Sequence, residues 1–309
     1  MLKLLKEAWG ITKKYKFLWI FGLFSPYLVP FYFPYFPKED LFKISYFPLI
    51  PQNLYSHIYL YNLANIAPLP PSQDISLFIF VLFFIIIFLL FIFLSIFSLT
   101  EIGLIWATNK IRKGEEINFN ITFKNSFKYF WKVFLFNLFV LICYYIVNIP
   151  AYLLLLRKNF GGLIINWVIV VLFYLVFYIV FSIYLAVFLI LGLREIVINE
   201  TSLINGIKTA HQLIIANLKE ILKFFIINIV LQIILSFLLF LLIFLLMFLS
   251  LVMIIKNSTT WAIIGLLFFF ISFIIWIILK SMGSTLISSW MTLVYLDYFK
   301  KEDKPKTDK

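Results

Sequence analysis

Of the chain's 309 residues, 64% are hydrophobic, 21% aromatic and 13% charged. Soluble domains run near half apolar and a quarter charged, so a water-soluble fold is excluded. The single Cys143 excludes an internal disulfide framework and a cysteine-based zinc site, and two histidines, His57 and His211, leave little for a histidine-led metal centre. Lys and Arg outnumber Asp and Glu by 26 to 14, and the meaning of that surplus depends on where it lies.

The chain opens on an amphipathic stretch. Leu2, Leu5, Trp9 and Thr12 share one helical face, with Lys3, Lys6, Lys13 and Lys14 around the other. This spacing predicts a short helix lying in a membrane interface. A hydrocarbon core about 30 Å thick takes roughly 20 apolar residues of helix. The first such run, Phe17 to Phe33, contains Pro26 and Pro30, which kink or shorten it. It is long and aromatic, with no small-x-small site after it, and reads as an anchor, not a cleaved leader.

Five further runs follow: Ile75 to Ala107, Tyr129 to Leu156, Leu163 to Leu193, Phe224 to Ile255, and Trp261 past Lys280 to Tyr298. None shows the alternation of a membrane strand. Backbone groups in lipid must bond within their own segment, so six transmembrane helices are expected.

Charge placement supports an even count. With six alternating spans and an inner N-terminus, twenty Lys and Arg residues fall on inner segments and five on outer ones, Lys280 standing apart. That is the bias that sets orientation. Both termini are expected in the cytoplasm of a plasma-membrane protein, with a basic tail over 300–309. Topology and attraction to anionic head groups account for the net charge of +12. No basic and aromatic module points to nucleic acid.

A hairpin unit recurs. Lys128-x3-Lys132-x4-Asn137 enters the third span and Lys219-x3-Lys223-x4-Asn228 the fifth. At the first span Lys16 holds the second basic position, with Phe21 and Gly22 in place of Asn. Leu203, Ile207, Ala210, Ile214 and Leu218 form an interfacial stripe before the fifth span. Before the third, Ile117, Phe119, Ile121 and Phe123 alternate as in an extended segment, and helical spacing resumes with Phe123, Phe127 and Phe130, so that Phe123 fits either pattern.

The expected architecture is therefore all-α: one membrane domain of three pseudo-repeated α-hairpins, about 1–113, 114–198 and 199–299, each preceded by a short cytoplasmic interfacial segment. The even spans overrun the bilayer. Ile75 to Ile111 alone would stretch about 55 Å, so these helices tilt, kink near Gly103, Gly192 and Gly283, or project inward. The outer loop 34–74, rich in Pro and Tyr, is expected to lie over the outer face, with a short helix around Asn53 to Asn65.

Intramembrane ionisable residues are functional candidates by default. Glu101 and Lys280 are the two here. An interfacial glutamate and a snorkelling lysine are the ordinary reading; the sharper one is a Glu101–Lys280 pair joining the first and third hairpins. Asn137 and Asn228 either bond between helices or line a solute path. Lys128, Lys132, Lys219 and Lys223 are expected at anionic lipid head groups on the cytoplasmic face. Ser281, Gly283, Ser284, Ser288 and Ser289 allow close helix contact. No catalytic set, metal site or cofactor motif is visible: there is no G-x-S-x-G elbow, phosphate-cradling loop, EF-hand or H-E-x-x-H. Cys143, in an apolar span, is expected to be an inert thiol.

Gly103-Leu-Ile-Trp-Ala107-x4-Arg112-Lys-Gly114-Glu115, Gly192-Leu-Arg-Glu-Ile196 running into the Gly206 to Lys219 helix, Ala8-Trp9 and Phe17-Leu-Trp19-Ile-Phe-Gly22-Leu together carry a resemblance. The chain resembles a broad group of uncharacterised six-pass prokaryotic membrane proteins. That group is similar to the membrane domain attached to some bacterial glycerophosphodiester phosphodiesterases. The fused catalytic barrel has no counterpart in these residues, so the resemblance implies the membrane domain and transfers neither phosphodiesterase activity nor a catalytic residue. The leading expectation is a non-enzymatic membrane protein with a lipid, envelope or partner-protein role. The alternatives are a small-solute permease and, further off, a lipid-head-group enzyme.

Overall fold

The computed structural model describes residues 1–25, 72–156, 164–255 and 259–300. Among these no strand occurs. The helices are α1 (Leu2–Lys14), α2 (Leu18–Phe24), α3 (Ser72–Arg112), α4 (Phe119–Leu156), α5 (Ile164–Ile198), α6 (Leu203–Ala216), α7 (Leu218–Ile255) and α8 (Thr259–Val294), closed by a π-helical turn over Tyr295–Phe299. Five of them, α3, α4, α5, α7 and α8, are long and apolar enough to cross a membrane. This is the helical, multi-pass membrane architecture that the apolar runs predict. Of the expected first span, the described part is α2; Pro26 and Pro30 lie outside the described residues, as do His57, residues 34–71 of the outer loop with its Asn53 to Asn65 segment, and the tail beyond Lys300.

The chain divides into two compact units, Met1–Leu28 with Leu94–Lys309, and Val29–Phe93. In the second, the described residues belong to α3, whose residues from Phe80 to Phe93 are exposed. The helix starts at Ser72, so Ser72 to Asp74, expected in the loop, are helical.

The first unit holds the core. It centres on α8, which packs against α7, α2 and α1, while α4 packs on α5 and α5 on α6. Trp290, Phe224, Phe136, Leu191 and Ile287 are fully buried there, with Phe224 stacked on Trp290 at 5.4 Å between ring centroids. Glycine allows two close approaches. A side chain at Gly103 would run into the Phe21 ring, and one at Gly192 into the Phe136 ring. Both glycines sit within continuous helices, so their role is packing.

Helix ends explain the connections. At the end of α3, Gly114 takes φ +79°, a backbone that only glycine adopts freely. Its N–H donates to Ile111 O, and that of Glu115 to Lys110 O; together they complete a Schellman cap. Asn118 then caps α4, its Oδ1 accepting the Ile121 N–H at 2.9 Å. Helix from Phe119 onward corrects the extended reading of that segment. Phe119, Phe123 and Phe127 form an i, i+4 aromatic ladder, with centroids 5.7 and 5.0 Å apart.

The expected face of α1 is only partly the outward one. Leu4, Ala8, Ile11 and Thr12 are buried, whereas Leu2 and Trp9 face outward. On α6 the buried stripe is Gly206, Ala210 and Ile214. Leu218 opens α7 and is exposed.

Candidate functional site

Polar side chains recur along α8 and organise the chemistry at one end of the bundle. The first group surrounds the end of α2. Lys280 Nζ donates to the carbonyls of Leu23 and, at 3.3 Å, of Ser25. Ser281 Oγ donates to Trp19 O, and Thr285 Oγ1 to Leu18 O at 3.2 Å. The carbonyl end of a helix is its negative pole, so an ammonium there is favourable. Ser25 then turns its hydroxyl to Glu101 Oε1 at 3.0 Å. Glu101 and Ser25 are both buried, and Lys280 is half-buried. The two ionisable residues singled out in the sequence thus meet on one residue, Ser25, one at its hydroxyl and one at its carbonyl. Ser25→Ala is expected to cost about 1–2 kcal/mol, read as a lowered unfolding midpoint in detergent. A change within error would show the hydroxyl to be dispensable.

A second group was not anticipated. Arg194 is fully buried at the end of α5, donating from Nη1 to Ile190 O at 2.8 Å and from Nη2 to Ser288 O at 3.2 Å. Its neighbour Glu195 is 6% exposed. It accepts the Tyr295 hydroxyl and the Asn199 Nδ2 at 2.9 Å. Asn199 Nδ2 also donates to Tyr295 Oη at 3.1 Å, which closes a triangle. Adjacent charges ending the long apolar run of α5 were the available signal, yet the partner Tyr295 lies a hundred residues away.

The lysines at the start of α4 are drawn into the structure. Lys128 Nζ donates to Glu200 Oε2 at 3.0 Å, Tyr129 Oη to Glu200 Oε1 at 2.5 Å, and Lys132 Nζ to Thr201 O at 3.1 Å. They clamp the link between α5 and α6, where Glu200 takes φ +54°. Lys223 donates to Glu220 at 3.3 Å, and Lys219 is exposed. Asn137 Nδ2 joins α4 to α3 through Ser98 Oγ at 2.9 Å, whereas Asn228 Oδ1 accepts Gln232 Nε2 within α7 at 3.3 Å.

The Tyr129 hydroxyl, and after it the Lys128 ammonium, hold the Glu200 carboxyl below the usual carboxylate range. A lowered native value means that the clamp is stabilising above the unfolded value, near 4.3. That contribution disappears as pH falls through the lower native value. Hydrogen-exchange protection over residues 199–205, taken relative to the intrinsic rate at each pH, is expected to fall at acid pH, and Glu200→Gln to remove that dependence. A flat profile in the native protein would refute the clamp.

A cleft of about 670 Å³ opens between α1 and the link from α3 to α4. Ile11, Ile111 and Ile117 contribute its apolar lining, and Glu7, Lys14, Glu115 and Glu116 its charges. Arg112 at its edge ties the ends together, reaching Asp297 and, at 3.7 Å, Glu7.

For metal or acid–base chemistry the described residues offer little. No group of three or more His, Cys, Asp or Glu converges among them. His211 Nδ1 lies 2.8 Å from Tyr184 Oη on the exposed side of α6, and no carboxylate among the described residues is hydrogen-bonded to its ring. What the arrangement can do is hold charge at fixed places on one end of an apolar bundle. No protein-family model, no curated protein and no solved structure matches this chain.

Proposed function

We propose that the protein is a six-span, three-hairpin resident of the cytoplasmic membrane, with both termini inside. In this reading it is non-enzymatic and organises anionic lipid, and through it envelope partners, at its inner face. The observation that carries this reading is the pairing of exposed apolar and exposed basic residues on the segments that lead into the spans. On α1, Leu2 is 80% and Trp9 43% exposed, beside Lys3, Lys6 and Lys13. At the start of α4, Phe127 and Trp131 face outward beside Lys124. On α6 and the entry to α7, Ile204, Ile215 and Leu218 do so beside Lys208 and Lys219. Apolar side chains entering the acyl boundary with lysines at head-group level are what an interfacial helix uses on anionic membranes.

Native mass spectrometry of protein extracted from mixed phosphatidylglycerol and phosphatidylcholine nanodiscs tests it. Phosphatidylglycerol is expected to be enriched around the protein, and the enrichment to fall when Lys3, Lys6, Lys13, Lys208 and Lys219 are changed together to Gln. Equal retention of both lipids would sink the proposal.

One observation favours a second reading, a small-solute permease. Helix α2 ends at Ser25 with its carbonyls held by Lys280 and its hydroxyl on buried Glu101. Transporters place interrupted helices with charged partners at their binding sites. Solute flux into proteoliposomes that Glu101→Gln or Lys280→Met abolishes would select this reading over the first.

A further inference from the structure

We infer that the cleft between α1 and the α3–α4 link binds the head group of a zwitterionic phospholipid carrying a primary amine. The inference rests on the membrane-embedded reading above and adds a specific site to it. At about 670 Å³ the cleft falls within the range of small-molecule sites, roughly 300–1,000 Å³.

Its lining has three parts. Ile11, Ile111 and Ile117 are apolar. Glu115 is paired with Lys110 at 2.8 Å, and Glu7 shares the Arg112 guanidinium, at 3.7 Å, with Asp297. Lys14 and Glu116, one cation and one of the acids, form no ion pair among the described residues. A guest satisfying both must carry both signs and an apolar body. A phospholipid with a phosphate for Lys14, an ammonium for Glu116 and glyceryl carbons for the isoleucines meets that description.

A primary ammonium fits better than a quaternary one. Glu116 can accept a charge-assisted N–H bond, which choline cannot donate. Choline sites rely on aromatic cages, whereas the aromatic ring lining this cleft is that of Tyr15, with Lys14 Nζ already 5.2 Å from its centroid. The setting also suits a lipid, because α1 presents Leu2 and Trp9 outward on the helix whose Gly10, Ile11 and Lys14 line the cleft.

Gly10 supplies a clean test. Nothing lies within 4 Å of a Cβ built there, and any ordinary residue suits a helix interior better than glycine does. Gly10→Phe therefore fills the cleft without unfolding α1. Phosphatidylethanolamine, phosphatidylcholine and phosphatidylglycerol of identical chains are titrated onto delipidated protein in detergent and counted by native mass spectrometry. Phosphatidylethanolamine is expected to bind about tenfold tighter than phosphatidylcholine, one charge-assisted hydrogen bond's worth. Gly10→Phe is expected to erase that preference at a melting temperature no lower than the parent's, and Glu116→Gln to reduce it.

Equal binding of the two zwitterionic lipids, or a preference that survives Gly10→Phe, overturns the assignment. Displacement of the lipid by millimolar soluble phosphoethanolamine overturns the lipid as occupant. If the ethanolamine preference is missing while phosphatidylglycerol enrichment persists, the cleft assignment falls and the inner-face reading stands. If both are missing, both fall.

Discussion

Gly22→Val is expected to prevent the protein from folding, at a cost above about 4 kcal/mol, beyond the 1–3 kcal/mol of ordinary overpacking. A side chain at Gly22 would overlap the Ser281 carbonyl oxygen and Thr285 Oγ1. The carbonyl belongs to the backbone of α8 and cannot turn aside. Relief requires α2 to lift off α8, and with it go the bonds that Lys280, Ser281 and Thr285 make to the carbonyls of α2. Even Gly22→Ala meets the same oxygen. At Gly103 and Gly192 the obstacle is a phenylalanine ring, which can shift, so alanine there should cost less, about 1–3 kcal/mol. Gly10→Ala, with open space around it, should stabilise α1 by up to about 1 kcal/mol. Thermal unfolding in one detergent, with the monodisperse fraction from gel filtration, ranks the four. A Gly22→Ala protein as stable as the parent would mean that α2 does not pack on α8 in this way.

The membrane class and the long helices were legible because burial in lipid acts on composition alone. Any run of apolar residues of sufficient length is visible without knowing its neighbours. The faces of the short helices were not legible for the opposite reason. On α1, the set Leu2, Leu5, Trp9 and the set Leu4, Ala8, Ile11 have equally good helical spacing. Both are in fact used, the second against protein and Leu2 and Trp9 of the first outward. Which set faces inward is decided by α8, some 270 residues later. The lysine pairs make the same point. Lys128 and Lys132 share their spacing with Lys219 and Lys223, yet the first pair meets Glu200 and Thr201 across a link, while Lys223 meets Glu220 on its own helix. A repeated pattern predicts where side chains emerge; the partner depends on residues the repeat does not include. Glu101 and Lys280 stood out because charges inside apolar runs are rare. Ser25, where they meet, is a small polar residue among many and carries no such signal.

Arg194 counts among the basic residues of the inner segments and Glu195 carries no assignment, and their burial leads to the second large effect. Glu195→Leu is expected to destabilise the protein by about 2–4 kcal/mol, the cost of losing charge-assisted hydrogen bonds and leaving a buried hydroxyl unpaired. The loss is not one hydrogen bond. Tyr295, at 1% exposure, would keep a hydroxyl with no carboxylate to accept it, and Asn199 would lose one of its two acceptors. Tyr295 also begins the π-helical turn, its carbonyl accepting the Lys300 N–H at 2.9 Å. Tyr295→Phe removes a donor and leaves Glu195 with Asn199, for about 1.5–3 kcal/mol. Combining Glu195→Leu with Tyr295→Phe removes both partners at once and replaces them with apolar groups. The double variant should therefore be more stable than the sum of the single losses predicts, by at least about 1 kcal/mol. Chemical denaturation of the four proteins closes the cycle. Strict additivity would mean that the two side chains do not interact in the folded bundle, and the triangle at the end of α5 would have to be abandoned.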